Sequence, residues 1–578
     1  LRTGQTHHVD PTLAYPDIYR AAWTLPLAFA KTADHALYFA NQRMFRTTDH
    51  GRHWAVISPD LTRENPAIPR NLDPTTAEDD EHAGARRGVV YSIGPSPLDA
   101  QVIWAGTDDG LVWRSRDGGA HWQEVTPADL TDWSKIAVVE PSHFDANSAY
   151  IAVDRHRLDD PGPYIYRTHD GGMSWTLINN GIADSGVINA VNVVREDPRQ
   201  RGLLYCGTEH GVYVSFDDGA HWQTLQQNLP RTSVRDLQIH DNDLVIATHG
   251  RGFWIMDDIA LLRSLATDHG AGFRLFPPAP AYRVRSTGFT GTPMPKDEPM
   301  AANPPLGAFL DYALDSPAQA VTLSITNAAG ILVRKFSSDD QPSAPDLGKI
   351  DIAPEWIVPS ARLSVSAGTH RFVWNLHYAP RAELISEDTS ETEEGVWAPP
   401  GQYWIELQAG AKHYRQRLTV APDPRIKLNA AYAQQFELAR NIEHERVKIA
   451  QVLAEASRIH GAIAGSGKGA EPALRAELTA ADQHLLAITD IAPAKKSFDS
   501  SGSSPHTARS LRNLGTTFQS LARAIDGADQ APTMDAQQGY ALQRALLDHV
   551  LEEWEKFKAA DLLKLNTRLR SAGGSPIV

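Results

Sequence analysis

The chain has 578 residues, of which 42% are hydrophobic and 22% are charged, a composition ordinary for soluble globular domains and enough for two to four of them. Asp and Glu number 70 against 55 Lys and Arg, a net charge of −15, so nucleic acid, which requires a basic surface, is excluded as an expected partner. The single Cys206 excludes an intrachain disulfide.

The N-terminus begins at Leu1 rather than Met and has no charged-then-apolar signal pattern. We therefore expect a processed or truncated start that lies inside a fold. No stretch of the sequence approaches the ~18 to 20 apolar residues of a membrane span, and we predict none.

An eight-residue pattern, Ser/Thr-x-Asp-x-Gly-x-x-Trp, occurs four times, at residues 47–54, 115–122, 168–175 and 215–222. The hydroxyl and the carboxylate can accept N–H groups of a tight turn, Gly supplies positive φ, and the indole covers the hairpin. Catalysis needs one or two specially tuned carboxylates, not four equivalent ones. We therefore predict a structural role for Asp49, Trp54, Asp117, Trp122, Asp170, Trp175, Asp217 and Trp222.

A short hydrophobic strand recurs five times around these patterns, at residues 36–40, 102–106, 149–153, 203–207 and 244–248. The repeated Asp residues are 68, 53 and 47 positions apart (117 − 49, 170 − 117 and 217 − 170), near the ~40 to 50 residues of a four-stranded propeller blade. Residues 1–262 thus predict about five blades, the first without a recognisable innermost strand. Because a propeller closes by pairing its ends, we expect upstream sequence or another chain to complete the ring.

The pattern resembles the Asp-box, or BNR, repeat of sialidases, sortilin and xyloglucanase-type glycosidases, all of them β-propellers. Residues 1–260 resemble the C-terminal half of large bacterial sortilin-like or "glycosyl hydrolase"-type Asp-box proteins. The resemblance implies a β-propeller and a secreted or periplasmic protein.

Beyond the repeats, the sequence predicts a mainly β multidomain protein that ends in helices. A Pro-rich linker is expected over 263–305, and alternating apolar residues predict a β-sandwich over 306–424. Residues 367–375 and 400–403 resemble the immunoglobulin-like module of flagellar hook-capping and secretion-associated proteins. Helical spacing over 425–578 predicts a bundle of about four helices.

The turns between the second and third strands of the blades are the candidate functional site. They lie on the face opposite the Asp-boxes, and we expect them to converge on one mouth, with the long loop 63–85, acidic at residues 78–81, as a lid. Concave polar mouths are common ligand sites, although exposed hairpin tips normally carry such residues too. Candidate catalytic carboxylates are Asp108, Asp109 and Glu209, and candidate ligand-binding residues are Asn41, Arg43, Arg155, His156, His210, His249 and Arg251.

No cofactor is predicted. Asp154, His156, Asp159 and Asp160 combine oxygen and imidazole ligands that would suit Ca²⁺. Their spacing matches no recognised motif, and a plain hairpin is the commoner meaning of such a loop.

Three functions remain open. The first is binding of a polymer, glycan or peptide, or of a protein partner at the mouth. The second is glycoside hydrolysis by paired carboxylates, but neither the catalytic Asp pair of xyloglucanase-like enzymes nor the arginine triad and Tyr nucleophile of sialidases can be matched to residues here. The third is a structural or assembly subunit, favoured by the sandwich and the bundle.

Overall fold

A computed structural model describes residues 4–72, 86–182, 188–267, 272–285, 303–341, 362–385, 394–426, 431–467, 470–491 and 509–577. The chain divides into two compact units, Leu1–Gly270 (unit 1) and Ala271–Val578 (unit 2). In the described part of the chain, no helix combines the length and hydrophobicity needed to cross a membrane.

The described residues of unit 1 form five antiparallel sheets, here called blades 1 to 5, each following the chain order of its strands. Blade 1 comprises β1 (Leu27–Phe29), β2 (Leu37–Ala40), β3 (Met44–Thr47) and β4 (Ala55–Val56); blade 2 comprises β5 (Val90–Pro95), β6 (Ile103–Thr107), β7 (Val112–Ser115) and β8 (Gln123–Glu124). Blade 3 comprises β9 (Lys135–Pro141), β10 (Ala149–Asp154), β11 (Tyr164–Thr168) and β12 (Thr176–Leu177). Blade 4 comprises β13 (Val191–Glu196), β14 (Leu204–Thr208), β15 (Val212–Ser215) and β16 (Gln223–Thr224); blade 5 comprises β17 (Val234–His240), β18 (Asp243–Thr248) and β19 (Phe253–Met256).

The blades pack side by side through their first strands. The strand β5 contacts β1 and β9, and β13 contacts β9 and β17. The second strands β6, β10 and β14 are buried along their whole length, because neighbouring blades cover both faces, and this accounts for their continuous apolar sequence. Unit 1 is therefore propeller-like, with the first strands on the inside.

Blade 1 has an innermost strand that the sequence did not reveal. The strand β1 is only three residues long and pairs with β2 through Leu27, Ala28 and Phe29. All three residues are apolar, although Leu27 and Phe29 are mostly exposed. The strand therefore lacks the alternation of apolar and polar residues by which a half-buried strand is recognised in a sequence. A helix, α1 (Ala260–Thr267), follows blade 5.

Unit 2 begins with two sheets that share one hydrophobic core. The three-stranded sheet has the order β20-β22-β25 and the five-stranded sheet has the order β21-β27-β26-β23-β24. Their strands are β20 (Arg274–Leu275), β21 (Ala281–Arg283), β22 (Ala308–Leu314), β23 (Val321–Asn327), β24 (Leu332–Ser337), β25 (Gly368–Trp374), β26 (Gly401–Ala409) and β27 (Lys412–Pro422).

Part of the segment 263–305, which the sequence predicts as a linker, belongs to these sheets. The strand β20 pairs with β22, and β21 runs parallel to β27; residues 286–302 lie outside the described part of the chain. Strands of two and three residues among prolines produce no periodic signal. The last residue of β21, Arg283, is buried and pairs with Asp529 at 2.9 Å, so this segment also joins the sheets to the helices.

The C-terminal helical region predicted from residue spacing is confirmed. Its helices bury their apolar stripes against one another in a single cluster around Phe518, Trp554 and Phe557. They are α2 (Tyr432–Ser466), α3 (Pro472–Thr489), α4 (Leu511–Asp526), α5 (Met534–Phe557) and α6 (Leu563–Ser571), with a π-helical turn at Lys558–Leu562 between the last two.

Candidate functional site

The Asp-boxes form the turns between the third and fourth strands and repeat one hydrogen-bond pattern. In blade 2, Ser115 Oγ donates to Asp117 Oδ1 at 3.0 Å and accepts the Gly119 N–H at 2.9 Å, while Asp117 Oδ1 accepts the His121 N–H at 2.9 Å. The same bonds recur around Asp49, Asp170 and Asp217. Side chains thus satisfy the turn from within, as a structural motif requires.

Each box Trp fastens its blade to the segment before it. The Nε1–H of Trp122 donates to Ile57 O at 2.8 Å, that of Trp175 to Val125 O at 2.7 Å, and that of Trp222 to Ile178 O at 2.6 Å. These carbonyls directly follow the outer strands β4, β8 and β12. Trp54 makes the same bond to Val9 O at 2.7 Å, so residues near Val9 stand where an outer strand ends in the other blades.

The box carboxylates are strongly acidic. The backbone and side-chain hydrogen bonds from His121 lower the pKa of Asp117 to about 2. For Asp170, the hydrogen bonds from the hydroxyl and backbone of Ser174 also lower the pKa to about 2. An ionised carboxylate that accepts hydrogen bonds from its own turn stabilises that turn and cannot serve as a general acid near neutral pH.

The turns between the second and third strands, the predicted mouth, make polar contacts within their own blades, and two of them also form ion pairs with the next blade. In blade 1, Asn41 is buried, accepts the Arg43 N–H at 2.9 Å through Oδ1, and accepts the Val90 N–H at 2.8 Å through its backbone carbonyl. The guanidinium of Arg43 pairs with Asp17 at 3.2 Å.

In blade 2, the two candidate carboxylates are buried rather than presented to solvent. Asp108 accepts the Val89 N–H at 2.8 Å and pairs with Arg157 at 3.1 Å; burial raises its pKa despite this partner. Asp109 is fully buried and accepts the Arg63 N–H at 2.8 Å. Burial, followed by the charge of Asp108, raises the pKa of Asp109 to about 7.

In blade 3, the mouth turn is a network of ion pairs. Asp154 pairs with Lys135 and with His156 Nδ1, each at 2.7 Å. Arg155 pairs with Asp160 at 3.2 Å. The loop proposed for Ca²⁺ therefore directs two of its carboxylates at cationic side chains, and among the described residues no group of three His, Cys, Asp or Glu is arranged to hold a metal ion.

The remaining mouth residues are more open. Glu209 pairs with Arg235 at 3.0 Å and accepts from Asn192 Nδ2 at 3.0 Å, and the backbone N–H of His210 bonds Thr208 Oγ1 at 3.1 Å. His249 and Arg251 are exposed and bonded here through their backbone N–H groups to Ser233 O and Thr248 Oγ1. The acidic lid segment, residues 78–81, lies outside the described residues. A shared ligand at this mouth stays a prediction.

A second concave region, called the inner cavity below, lies among the first strands. It encloses about 350 Å³ and is lined by residues of β1, β5, β9, β13 and β17, one strand from each blade. Strand register places five residues at equivalent inner positions, each paired with the same position of its second strand: Ala28, Gly94, Glu140, Arg195 and Gln238. None of the ten candidate mouth residues lines this cavity.

Charge in the inner cavity is concentrated on blades 3 to 5. Arg195 lies between two carboxylates, with Nη1 at 2.9 Å from Glu140 and Nη2 at 2.9 Å from Asp236. Its Nε–H donates to Leu237 O at 2.9 Å. Burial favours the neutral acid at Glu140, but the charge of Arg195 and the hydrogen bond from His143 lower its pKa overall.

Blades 1 and 2 give the cavity an apolar wall. Phe29 is 68% exposed and Leu27 is 62% exposed, although both line the cavity with Pro95. At Gly94 an added Cβ would lie 2.9 Å from Val139 O, so a side chain there would clash with blade 3. Lys31, which follows β1, adds one charge to this side, so the wall from blades 1 and 2 is mostly apolar and the wall from blades 3 to 5 carries the other charges.

The cavity does not present an acid–base pair for hydrolysis. Burial raises the pKa of Glu196, which differs from the lowered pKa of Glu140 as two catalytic carboxylates would. However, Glu196 is 1% exposed and accepts from Ser142 Oγ at 2.7 Å and the His143 N–H at 2.8 Å. Both of these bonds occupy Oε2, and Oε1 has only contacts at 3.4 Å with the Tyr150 hydroxyl and the Gly202 N–H.

Sequence reasoning missed the inner cavity because it aligned the second strands and not the first. The signal was present: the residue opposite each repeated aromatic of the second strand changes from small in blades 1 and 2 to charged in blades 3 and 4. This change is recognised only when the pairing register of the first and second strands is known, and the lengths of the turns between these strands do not determine that register.

Comparison with known proteins yields structural neighbours only. No family model and no curated protein matches the chain. A GH74 enzyme from Niastella koreensis is similar at 14% identity over 42% of this chain and 36% of that one (TM-score 0.30), and a GH74 xyloglucanase from Xanthomonas campestris at 18% over 40% and 36% (TM-score 0.32). PorZ, a surface component of the type-IX secretion system of Porphyromonas gingivalis, is similar at 12% over 68% and 51% (TM-score 0.30). The chain thus spans about a third of the length of the two GH74 structures.

Proposed function

We propose that unit 1 binds a neutral glycan in the inner cavity. The observation that carries this proposal is the position of Arg195 between Glu140 and Asp236. The exposed ring of Phe29 lines the same cavity. Peptide binding at the mouth and glycoside hydrolysis remain the alternatives that the sequence suggested.

The chemistry of a sugar matches both halves of the cavity. Sugar hydroxyls donate to carboxylates and accept from guanidinium groups, and the fixed ion pairs of Arg195 hold those groups in place before the ligand arrives. The C–H face of a pyranose packs on an exposed aromatic ring such as Phe29. Because Arg195 already pairs with Glu140 and Asp236, we expect a charged polymer to gain less from this group than a neutral one does.

Calorimetric titration with cellohexaose, xylohexaose, mannohexaose, a xyloglucan heptasaccharide and polygalacturonate tests the proposal. We expect one of the neutral oligosaccharides to bind, and Phe29→Ala to weaken it at least ~10-fold, as expected for loss of a stacking platform. The matched control is Phe253→Ala, an 81% exposed Phe on β19 outside the cavity. Absence of binding to every sugar, or equal affinities for wild type and Phe29→Ala, would reject the inner cavity as the site.

A second candidate function, assembly, rests on a different observation. Within the described residues blade 5 has three strands where the others have four, and β19 exposes Phe253 and Ile255. Trp54 meanwhile binds Val9 as the other box Trp residues bind an outer-strand end. A chain with an outer-strand-like segment near Val9 and an edge strand that exposes Phe253 and Ile255 is suited to pair with a second copy by strand addition.

Sedimentation velocity over a range of concentrations tests the assembly role. We expect a concentration-dependent dimer, and we expect Phe253→Asp to dissociate it because a charge on the edge strand opposes pairing. A monomer at all concentrations, for wild type and variant alike, would contradict pairing between copies.

A further inference from the structure

A serine, a histidine and an aspartate meet in a cavity of about 490 Å³ at the junction of blades 3 and 4. Ser148 Oγ lies 2.8 Å from His169 Nδ1, and His169 Nε2 lies 2.9 Å from Asp218 Oδ2. Ser148 lies in the turn before β10, while His169 and Asp218 lie within the Asp-boxes of blades 3 and 4. This junction is separate from the inner cavity's Arg195 and Phe29.

The repeat itself shows that the blade fold does not require these three residues. The backbone bond that Ser148 O accepts from Ser142 N is made by Ala36, Val102 and Leu203 in the other blades. The position of His169 holds Thr48, Arg116 and Phe216, and the position of Asp218 holds His50, Gly118 and Gly171. Three departures from the repeat therefore meet at one junction.

Hydrogen-bond chemistry orders the group as nucleophile, base and orienting carboxylate. A carboxylate beside Nε2 favours the tautomer with the proton on Nε2, which leaves the lone pair of Nδ1 directed at Ser148 Oγ. Arg167 Nη1 at 2.8 Å and the Tyr150 hydroxyl at 2.6 Å hold Asp218 in place. The Ser148 hydroxyl also lies 2.9 Å from Asp145 Oδ2, so Asp145 competes with His169 for its single proton.

From this arrangement we propose that Ser148, His169 and Asp218 form a nucleophilic site that hydrolyses small carboxylic esters. Ser148 is 2% exposed but lines the cavity together with His169, which is 54% exposed, so we expect only a small acyl group to reach the hydroxyl. Arg201 lines the same cavity, with Nη2 bonded to Phe144 O at 2.9 Å, and we assign its positive charge to stabilisation of the oxyanion.

The reaction balances without a cofactor. Ser148 Oγ forms a bond to the acyl carbon as its proton passes to His169 Nδ1, and the ester C–O bond breaks as that proton passes to the leaving alkoxide. Water then attacks the acyl-serine with His169 as base, which releases the carboxylic acid and restores the Ser148 hydroxyl. Asp218 is a positioning residue that acts through His169.

The equivalent positions of the other blades show which residues the blade fold accepts in place of Ser148, His169 and Asp218. Ser148→Ala copies Ala36, His169→Arg copies Arg116, and Asp218→Gly copies Gly118, so each variant is expected to fold with a Tm close to that of the wild type. The matched control is Ser96→Ala, a turn serine of blade 2 whose Oγ accepts the Leu98 N–H at 3.2 Å.

Labelling of the full chain with a fluorophosphonate probe, read by peptide mass spectrometry, and turnover of p-nitrophenyl acetate test the assignment. We expect one label per chain on Ser148, none in Ser148→Ala, and unchanged labelling in Ser96→Ala. His169→Arg should slow labelling at least ~10²-fold, and Asp218→Gly should lower kcat with little change in KM.

Two outcomes would overturn the site. The first is a folded wild type that is not labelled at Ser148. The second is ester hydrolysis that Ser148→Ala retains in full. Asp145→Asn is expected to accelerate labelling because it removes the competing carboxylate; a fall to the level of Ser148→Ala would overturn the assignment of His169 as the base.

Discussion

The two sets of hairpin turns in unit 1 use aspartate in opposite environments. In the Asp-boxes the carboxylate is exposed, repeats in four blades and has its pKa lowered by hydrogen bonds from its own turn. In the mouth turn of blade 2, Asp108 and Asp109 are buried and their pKa values are raised. Repetition marks a structural element that four of the five blades share, and the buried pair belongs to one blade alone among the mouth turns described above.

The difference follows from what each turn contacts. A box turn packs its Trp and Gly on the preceding blade and leaves its carboxylate toward solvent. A mouth turn lies against the segment that leads into the first strand of its own blade, as Asp108 does against Val89. Aspartates there are enclosed by a neighbouring blade, and burial rather than turn chemistry sets their protonation.

The largest expected effect is on the box Trp residues. Trp222 is 4% exposed and donates to Ile178 O, so Trp222→Ala is expected to lower the free energy of unfolding by ~3 to 5 kcal/mol. Urea unfolding measures this, with the fully exposed Trp23→Ala as a control expected to change it by less than ~0.5 kcal/mol. Equal effects of the two variants would contradict a structural role for the box.

Asp109→Asn tests the mouth side of the comparison. Because its folded-state pKa of about 7 lies above the usual 3.8, Asp109 contributes stability that is fully present below pH ~4 and lost as the pH rises through ~7. That loss is up to about 4 kcal/mol, at about 1.4 kcal/mol per pKa unit. Unfolding curves between pH 4 and 8.5 should be flatter for Asp109→Asn, and parallel curves would show that Asp109 is not the group responsible.

Asp117→Asn tests the opposite sign on the box side. The pKa of Asp117 is lowered to about 2, so its contribution is present above pH ~4 and lost as the pH falls toward 2. The Tm of Asp117→Asn should therefore depend less on pH than that of the wild type between pH 4 and 2.

The smallest expected effect is on Glu209, the most accessible candidate carboxylate. Glu209→Gln keeps the bond from Asn192 and loses the partly exposed ion pair with Arg235, a change of ~0 to 1 kcal/mol in unfolding free energy. Glycan affinity at the inner cavity should not change. A loss of turnover of ~10²-fold in any glycosidase assay would instead assign Glu209 to catalysis.

The sequence by itself determined the local structure of this protein. Four Ser/Thr-x-Asp-x-Gly-x-x-Trp copies specify their turns because the bonds that the Ser/Thr and Asp side chains make within the turn join residues at most four positions apart, such as Asp117 and His121. The helical region likewise follows from spacing that places apolar residues on one face. These features depend on neighbours in the chain, and neighbours are visible in the sequence.

Tertiary structure alone decided which residues share a site. Glu140, Arg195 and Asp236 are separated by 55 and 41 positions, and Ser148, His169 and Asp218 by 21 and 49. Contacts of this kind depend on strand register and blade packing, because a shift of one residue turns an inward side chain outward. The same packing buries Asp108 and Asp109, whose sequence is that of an ordinary exposed turn.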